Sequence, residues 1–150
     1  MLKLENISKY YYSSTNVTCA LRKINLEFKL GEFVSITGES GSGKTTLLNV
    51  ISGLDTYEDG EMYYGDKTTS YFDDEDWENY RKNEIAFIFQ NYNLIDSFTV
   101  LENVAVAYII DGYDYKTAKK KAKEVLKLVG LDKDYRKKAI KLSGGQKQRL

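Results

Sequence analysis

The spacing of apolar and polar residues predicts a strand-rich first part of the chain and a helical second part. Between residues 21 and 30 apolar and charged residues nearly alternate, which is typical of a half-exposed strand. Residues 2–7 and 61–64 are shorter strand candidates. Two runs rich in strand-forming apolar residues, 32–37 and 85–89, are predicted to be buried strands.

Helices are predicted where apolar residues recur every three or four positions. Residues 45–52 form one such segment and Gly53 is placed to end it. The acidic stretch from Asp73 to Arg81 is predicted to be a short helix. A longer helix is predicted from Tyr115 to Val129. Its apolar face is expected to hold four residues: Ala118, Ala122, Val125 and Val129.

The opposite side of that longer helix is basic. Such a stripe can bind an anionic partner or can simply face solvent. The chain has 22 Lys and Arg residues and 22 Asp and Glu residues, a balance that favours the solvated face and argues against a nucleic-acid partner. The stripe consists of Lys116, Lys119, Lys120, Lys123 and Lys127.

Composition narrows the class of protein further. A chain of 150 residues is expected to form one domain with a sizeable core. The single cysteine, Cys19, forms no internal disulfide, which fits a reducing cytosol. We expect no signal peptide at the charged start, Met1–Glu5, and no membrane span, because the longest apolar run is Val104–Ile110. The chain has no histidine, which excludes histidine-based chemistry within it.

Residues 38–45 have the pattern G-x-x-x-x-G-K-[ST], which is typical of a phosphate-binding loop. Glycines allow the backbone N–H groups to approach the phosphates closely. Lys44 supplies a positive charge for the outer phosphates, and the Thr45 hydroxyl is suited to a Mg²⁺ ion. A glycine-rich turn can match this pattern by chance. The predicted strand before it and the predicted helix after it favour the phosphate site, which the helix N-terminus would strengthen.

Two capping boxes are predicted later in the chain. Thr99 and Glu102 have the spacing that satisfies backbone donors at a helix start, and so do Ser143 and Gln146. The second box includes Gly144 and Gly145. It is either an ordinary helix start or a second site for an anion, and the phosphate-binding loop in the same chain favours the anion site.

These motifs together make the chain resemble the ATP-binding subunit of an ABC transporter, over essentially all 150 residues. The sequence from 38 to 46 resembles the family's Walker A loop, 87–90 its Q-loop and 142–146 its signature motif. The sequence around these motifs is most similar to that of the macrolide-export and lipoprotein-release group, which includes ATPases of antimicrobial-peptide export.

The resemblance implies an α/β P-loop NTPase fold. Residues from about 1 to 93 would form an N-terminal antiparallel β-subdomain with the P-loop core. Residues from about 94 to 150 would form a helical subdomain that ends in the signature motif. The chain ends before the family's Walker B strand and switch histidine, so we expect a truncated form whose core sheet is incomplete.

The resemblance also implies roles for individual residues. Lys44 and Gln90 would be catalytic, and Thr45 and Gln90 would hold Mg²⁺. Tyr11 would stack on adenine, although its neighbours Tyr10 and Tyr12 leave the register open by one residue. The ATP site would comprise Tyr11, Gly38, Glu39, Ser40, Gly41, Ser42, Gly43, Lys44, Thr45, Thr46 and Gln90. The residues that close on the ATP of a partner would be Leu142, Ser143, Gly144, Gly145 and Gln146.

The family's partners are a second ATP-binding subunit, paired head to tail, and membrane permease subunits. The expected function is therefore to couple ATP binding and hydrolysis to transport, with export favoured, on the inner face of the cell membrane. Because the family's catalytic glutamate follows the signature, we expect no hydrolysis by these 150 residues alone. The alternatives are a non-hydrolysing regulatory module and a non-functional fragment. The signature motif argues against a small-molecule kinase. The lack of long insertions argues against a DNA-repair protein of the family.

Overall fold

The computed structural model describes residues 1–150, which divide into two compact units, Met1–Phe87 and Ile88–Leu150. The first unit contains an antiparallel sheet with the strand order β2-β1-β3-β4 and two helices. Its elements are β1 (Leu2–Tyr12), β2 (Val17–Phe28), α1 (Lys44–Ile51), β3 (Asp59–Tyr64), β4 (Lys67–Thr68), a 3₁₀ turn (Thr69–Tyr71) and α2 (Asp74–Asn83).

The core of the first unit lies between the sheet and α1. The strands bury Leu4, Ile7, Leu21 and Met62, and α1 covers them with Leu47 and Val50. The buried cluster consists of Leu4, Ile7, Leu21, Leu47, Val50 and Met62. The three strand predictions in this part and the helix after the glycine loop are confirmed, and Gly53 has a φ of 68° just beyond the end of α1.

Pairing between β1 and β2 contains a bulge next to the glycine loop. Lys9 pairs with Leu21, whereas the next residue, Tyr10, pairs with Cys19. Ala20 is therefore the extra residue on β2. A bulge re-aims the backbone locally, and here it turns the Ala20 carbonyl towards the start of α1, as described below.

An aromatic cluster attaches α2 to the end of α1. Phe72, Trp77 and Tyr80 contact one another edge to face, with ring centroids 5.1 to 6.4 Å apart. The Tyr80 hydroxyl donates a hydrogen bond to the carbonyl oxygen of Ile51 at 2.7 Å. Asp73 caps α2 in a box with Asp76, so the predicted acidic helix is confirmed and extends two residues further.

The second unit is helical. Its elements are α3 (Val100–Ile110), α4 (Tyr115–Leu128), a 3₁₀ turn (Ala139–Lys141) and α5 (Gly144–Arg149). Both predicted capping boxes form, with Thr99 capping α3 and Ser143 capping α5. One core cluster joins Val100, Leu126, Leu131 and Leu142, and a second joins Ala105, Ala118 and Ala122. No helix of the structure is both long enough and apolar enough to cross a bilayer.

The predicted apolar face of α4 is partly wrong. Ala118 and Ala122 are buried as expected, but the third buried residue is Leu126, whereas Val125 is 38% exposed. The buried residues are spaced by four, so the stripe drifts around the helix and Val125 falls beside it. The basic side of α4 lies at the surface, in agreement with a solvated face.

Neither of the two predicted buried strands is present. Residues 32–37 and 85–89 form no strand, and none of the four strands pairs with them. Phe33 is 98% exposed and Ile88 is 85% exposed. Strand-forming residues become a buried strand only when neighbouring strands take up their N–H and C=O groups, and here no neighbour does so.

Candidate functional site

The glycine loop of the first unit is fixed by two backbone conformations that glycine adopts readily. Gly41 and Gly43 have φ values of 83° and 88°, in the left-handed region. Gly43 is the N-cap residue of α1, and a Cβ there would lie 2.5 Å from the Ala20 carbonyl oxygen of the bulge. The loop can therefore reach the sheet only without a side chain at Gly43.

Lys44 extends back over the loop that precedes it. Its Nζ donates hydrogen bonds to the carbonyl oxygens of Gly38 at 2.9 Å and Glu39 at 2.6 Å, and it lies 3.4 Å from the Ser42 hydroxyl. The ammonium is thus already held at the mouth of the loop. Phosphate oxygens are charged acceptors and would compete well with these neutral carbonyls.

A cleft of about 600 Å³ lies between the glycine loop and the β1–β2 hairpin. The loop and α1 contribute Ser40, Gly41, Gly43, Lys44, Thr45 and Thr46 to its wall. The hairpin contributes Tyr11, Thr18, Cys19 and Ala20. The three hairpin residues from 18 to 20 were not predicted as site residues. Only the register, in which Tyr11 pairs with Thr18, brings them to the cleft, and the sequence carries no motif for it.

Of the three consecutive tyrosines at the end of β1, Tyr11 lines this cleft. Successive residues of a strand point to opposite faces, so Tyr10 and Tyr12 are directed away from Tyr11. Tyr12 is largely exposed. Of the three tyrosines, Tyr11 is therefore the one placed at this cleft, and its stacking on adenine stays a prediction.

The Tyr11 ring is held by a charged network that the sequence did not reveal. Its hydroxyl donates to Oδ2 of Asp55 at 2.7 Å, and Oδ1 of Asp55 lies 3.0 Å from Nζ of Lys9. The bond to Asp55, together with burial, raises the pKa of Tyr11. Burial alone would raise the pKa of Asp55, but hydrogen bonds from Tyr11 and Lys9 outweigh it, and the pKa of Asp55 is lowered.

The second unit holds the remaining predicted site residues. Gln90 is exposed in a turn that begins the unit. The following residues Tyr92 and Asn93 have φ values of 61° and 51°, a conformation that is rare for a bulky residue such as tyrosine. The Tyr92 hydroxyl is 3.6 Å from the position that a Cβ on Gly144 would occupy. Within this unit, Tyr92, two residues after Gln90, therefore lies near the signature segment.

The signature segment presents its polar residues and buries its leucine. Ser143, Gly144 and Gly145 are exposed at the start of α5. Gln146 completes the capping box and also donates to Asp134 at 3.1 Å. Leu142 is only 7% exposed and packs in the unit's core, so any contact of Leu142 with a ligand would involve its backbone.

Comparison with known proteins places this arrangement in one family. The family model described as ABC transporter matches residues 21–150. The ABC transporter ATP-binding protein MJ0796 of Methanocaldococcus jannaschii is 41% identical over 157 residues, which cover 100% of this chain and 66% of that protein. The lipoprotein-releasing system ATP-binding protein LolD of Saccharophagus degradans is 38% identical, with 100% and 66% covered. The methionine import ATP-binding protein MetN of Clostridioides difficile is 36% identical, with 100% and 45% covered.

The fold agrees with that comparison. The dimeric structure of the MJ0796 cassette in a post-hydrolysis state, bound to ADP and Pi, superposes with a TM-score of 0.86 at 41% identity. The match covers 99% of this chain and 66% of that one. The chain belongs to the ABC transporter family, as an ATP-binding domain with the α/β P-loop fold. It spans 66% of the length of the MJ0796 and LolD relatives.

Proposed function

We propose that the cleft between the glycine loop and the β1–β2 hairpin binds ATP. The position of Lys44 carries this proposal, because its ammonium is held by two loop carbonyls at the mouth of a cleft that Tyr11 also lines. The triphosphate would lie along residues 38–46 and replace those carbonyls around Lys44. The adenine would stack on Tyr11, a residue that is 41% exposed.

An oxygen ligand suited to Mg²⁺ lies next to the glycine loop. In phosphate sites Mg²⁺ takes one or two protein oxygens, the phosphates and several waters. We propose the Thr45 hydroxyl, exposed on the first turn of α1, as a ligand of the ion. The proposal that the side-chain oxygen of Gln90 is a second ligand rests on the family resemblance alone. The ion would neutralise charge that develops on the phosphates. The structure contains no group of three His, Cys, Asp or Glu side chains arranged to hold a metal.

We further propose that the exposed start of α5 closes on the ATP of a second subunit. Ser143 would supply its hydroxyl, and Gly144 and Gly145 would allow the backbone to approach the outer phosphate. The dimeric state of the MJ0796 cassette supports this proposal. Leu142 packs in the unit's core and Gln146 donates to Asp134, so the segment is held in place. We propose that the second subunit binds head to tail.

The whole protein would then couple the ATP cycle to transport by membrane permease subunits, at the inner face of the cell membrane. Differential binding of ATP and ADP would shift the population of closed pairs. Relatives are named for lipoprotein release and for methionine import, so the names alone do not fix the direction. The sequence around the motifs resembles that of the macrolide-export group, and this resemblance favours export.

Hydrolysis requires a carboxylate that positions water, and the family supplies it after the signature. We propose that residues 1–150 bind ATP without turning it over by themselves. A non-hydrolysing nucleotide-binding module is the second candidate function. Phosphate release by the purified 150-residue chain, at a rate that depends on Lys44, would refute the proposal that residues 1–150 do not hydrolyse ATP by themselves.

Calorimetric titration with MgATP tests the binding site. Lys44→Met removes charge-assisted hydrogen bonds of about 1.5–3 kcal/mol, so we expect the affinity to fall roughly 10- to 100-fold. Lys29→Met is the matched control, because Lys29 does not line the cleft. Circular dichroism checks that both variants fold. Equal affinities for the wild-type and Lys44→Met chains would contradict the proposal.

A further inference from the structure

We propose that Asp55 and Lys9 are positioning residues that hold the Tyr11 ring in place as the platform for a nucleotide base. This inference rests on the proposed function, in which Tyr11 stacks on adenine. It goes beyond that function by assigning a role to two residues outside the glycine loop. Neither Asp55 nor Lys9 lines the cleft itself.

Asp55 bridges Tyr11 and Lys9 with its two carboxylate oxygens. Oδ2 accepts the hydrogen bond from the Tyr11 hydroxyl at 2.7 Å. Oδ1 accepts from the backbone N–H of Thr56 at 2.8 Å and lies 3.0 Å from Nζ of Lys9. The carboxylate is thus fixed on one side by its own loop and on the other by a lysine, and the phenol is its remaining partner.

Lys9 makes this bridge rigid because it is almost completely buried. It is 5% exposed, and its ammonium has three oxygen acceptors: Asp55 at 3.0 Å, Glu58 at 3.1 Å and Thr56 at 3.2 Å. A buried ammonium with all three protons engaged has little freedom to move. The second oxygen of Glu58 accepts from the Tyr10 backbone N–H at 2.7 Å, so the loop is tied to β1 at a second point.

The strand geometry explains why one network reaches both side chains. Lys9 and Tyr11 are two residues apart on β1 and therefore point to the same face. Nζ of Lys9 lies 5.3 Å from the centroid of the Tyr11 ring, within the range of a cation–π contact. The ring is held at its hydroxyl by Asp55 and beside Lys9, while Tyr11 as a whole stays 41% exposed.

Holding the ring before the ligand arrives lowers the entropic cost of binding. Immobilising one flexible side chain costs a binding reaction a factor of about two to ten in affinity. Because Tyr11 would contact the base and not the phosphates, the network should affect only ligands that have a base. A residue that merely stabilised the fold would affect both kinds of ligand alike.

The test compares MgATP with magnesium tripolyphosphate, which has the phosphates but no base. Tyr11→Phe keeps the ring and removes the hydroxyl, which contacts Thr46 as well as Asp55, whereas Asp55→Ala removes the acceptor and leaves the hydroxyl in place. We expect each variant to bind MgATP about two- to tenfold more weakly and tripolyphosphate unchanged. The double variant should be no weaker than the weaker single one, because both changes break one bond. Tyr12→Phe is the matched control and should bind both ligands as the wild type does.

The outcomes separate this inference from the function on which it rests. If the wild type binds neither ligand, the proposed function fails and the inference fails with it. If Tyr11→Ala binds MgATP normally, Tyr11 is not the platform, and both the stacking role and the inference are overturned. If Tyr11→Ala is impaired but Asp55→Ala is not, the inference alone is overturned. Equal losses of both ligands in Asp55→Ala would make Asp55 a residue of the fold only. Asp55→Asn, which keeps an acceptor, should restore part of the MgATP affinity.

Discussion

A Cβ atom on Gly43 would lie 2.5 Å from the carbonyl oxygen of Ala20, closer than such atoms can approach. Ala20 is the extra residue of the β2 bulge, and Gly43 is the N-cap residue of α1. The glycine therefore has two functions that a motif alone cannot separate. The structure shows that it allows the helix to pack against the hairpin, and our proposal adds that it leaves room for a ligand.

We predict that Gly43→Ala destabilises the fold more than Gly41→Ala does. Both glycines have a positive φ, so alanine at either position costs about 1–2 kcal/mol of backbone strain. Only at Gly43 does the added methyl group meet backbone, whereas at Gly41 it meets nothing within 4 Å. Urea unfolding of the two variants measures the difference, which we expect to exceed about 1 kcal/mol. Equal free energies of unfolding would mean that the bulge can move aside.

Much of the local structure could be predicted because its causes are local. Capping boxes at Thr99 and Ser143 depend on residues three positions apart, and both form. The glycine loop and the helix after it follow from one short motif. The Tyr11–Asp55 bond could not be predicted, because it joins residues 44 positions apart that only the folded sheet and loop bring together.

The predictions of buried strands at 32–37 and 85–89 were wrong for a different reason. Their composition indicates strands, but a strand exists only as part of a sheet, and its partners lie elsewhere in the chain. Within residues 1–150 no strand pairs with 32–37 or 85–89. Sequence patterns report the environment for which a segment is suited. They do not report whether the described chain supplies it.

The exposure of Phe33 can be tested by substitution. Because Phe33 is 98% exposed, we predict that Phe33→Ser changes the free energy of unfolding of the 150-residue chain by less than about 0.5 kcal/mol. A phenylalanine in a buried strand would cost about 3–5 kcal/mol on truncation. Met62→Ala, at a fully buried position of β3, is the control and should cost about 2–5 kcal/mol. A large loss from Phe33→Ser would restore the buried strand that the sequence predicts.

The glycines of the signature segment are not required by the fold. Neither Gly144 nor Gly145 has a positive φ, and an added methyl group would meet only the Tyr92 hydroxyl, at an ordinary 3.6 Å, or nothing. Replacing glycine by alanine where the backbone conformation suits both residues stabilises a protein by about 0.4–1 kcal/mol, because the unfolded chain loses freedom. We therefore predict that Gly144→Ala and Gly145→Ala leave the stability equal or higher, as measured by urea unfolding.

The same variants should weaken function. If the backbone of this segment approaches the phosphate of a partner's ATP, a methyl group would obstruct it. We expect less MgATP-dependent association by sedimentation velocity, while the affinity for MgATP at the chain's own cleft stays at the wild-type value. Lys29→Met, whose change lies in the first unit outside the cleft, provides the comparison. Unimpaired association of both signature variants would contradict the proposed role of α5.

The contribution of Tyr80 to the stability of the first unit is lost at high pH. Its side chain is buried among aromatic rings and donates to the Ile51 carbonyl oxygen. Burial raises its pKa from 10.0 to about 12. A folded pKa above the unfolded one means that the contribution is complete below pH 10.0 and is lost as the pH rises towards about 12, because only the unfolded phenol ionises readily.

We therefore predict that urea midpoints of the wild type fall more steeply between pH 10 and 12 than those of Tyr80→Phe. Below pH 10.0 the variant should be less stable by about 0.5–1.5 kcal/mol, because it lacks the hydrogen bond to Ile51. The two curves should converge as the pH rises, since the phenylalanine cannot ionise. Parallel curves over this range would mean that the Tyr80 hydroxyl ionises equally in both states, and that the aromatic cluster does not shield it from water.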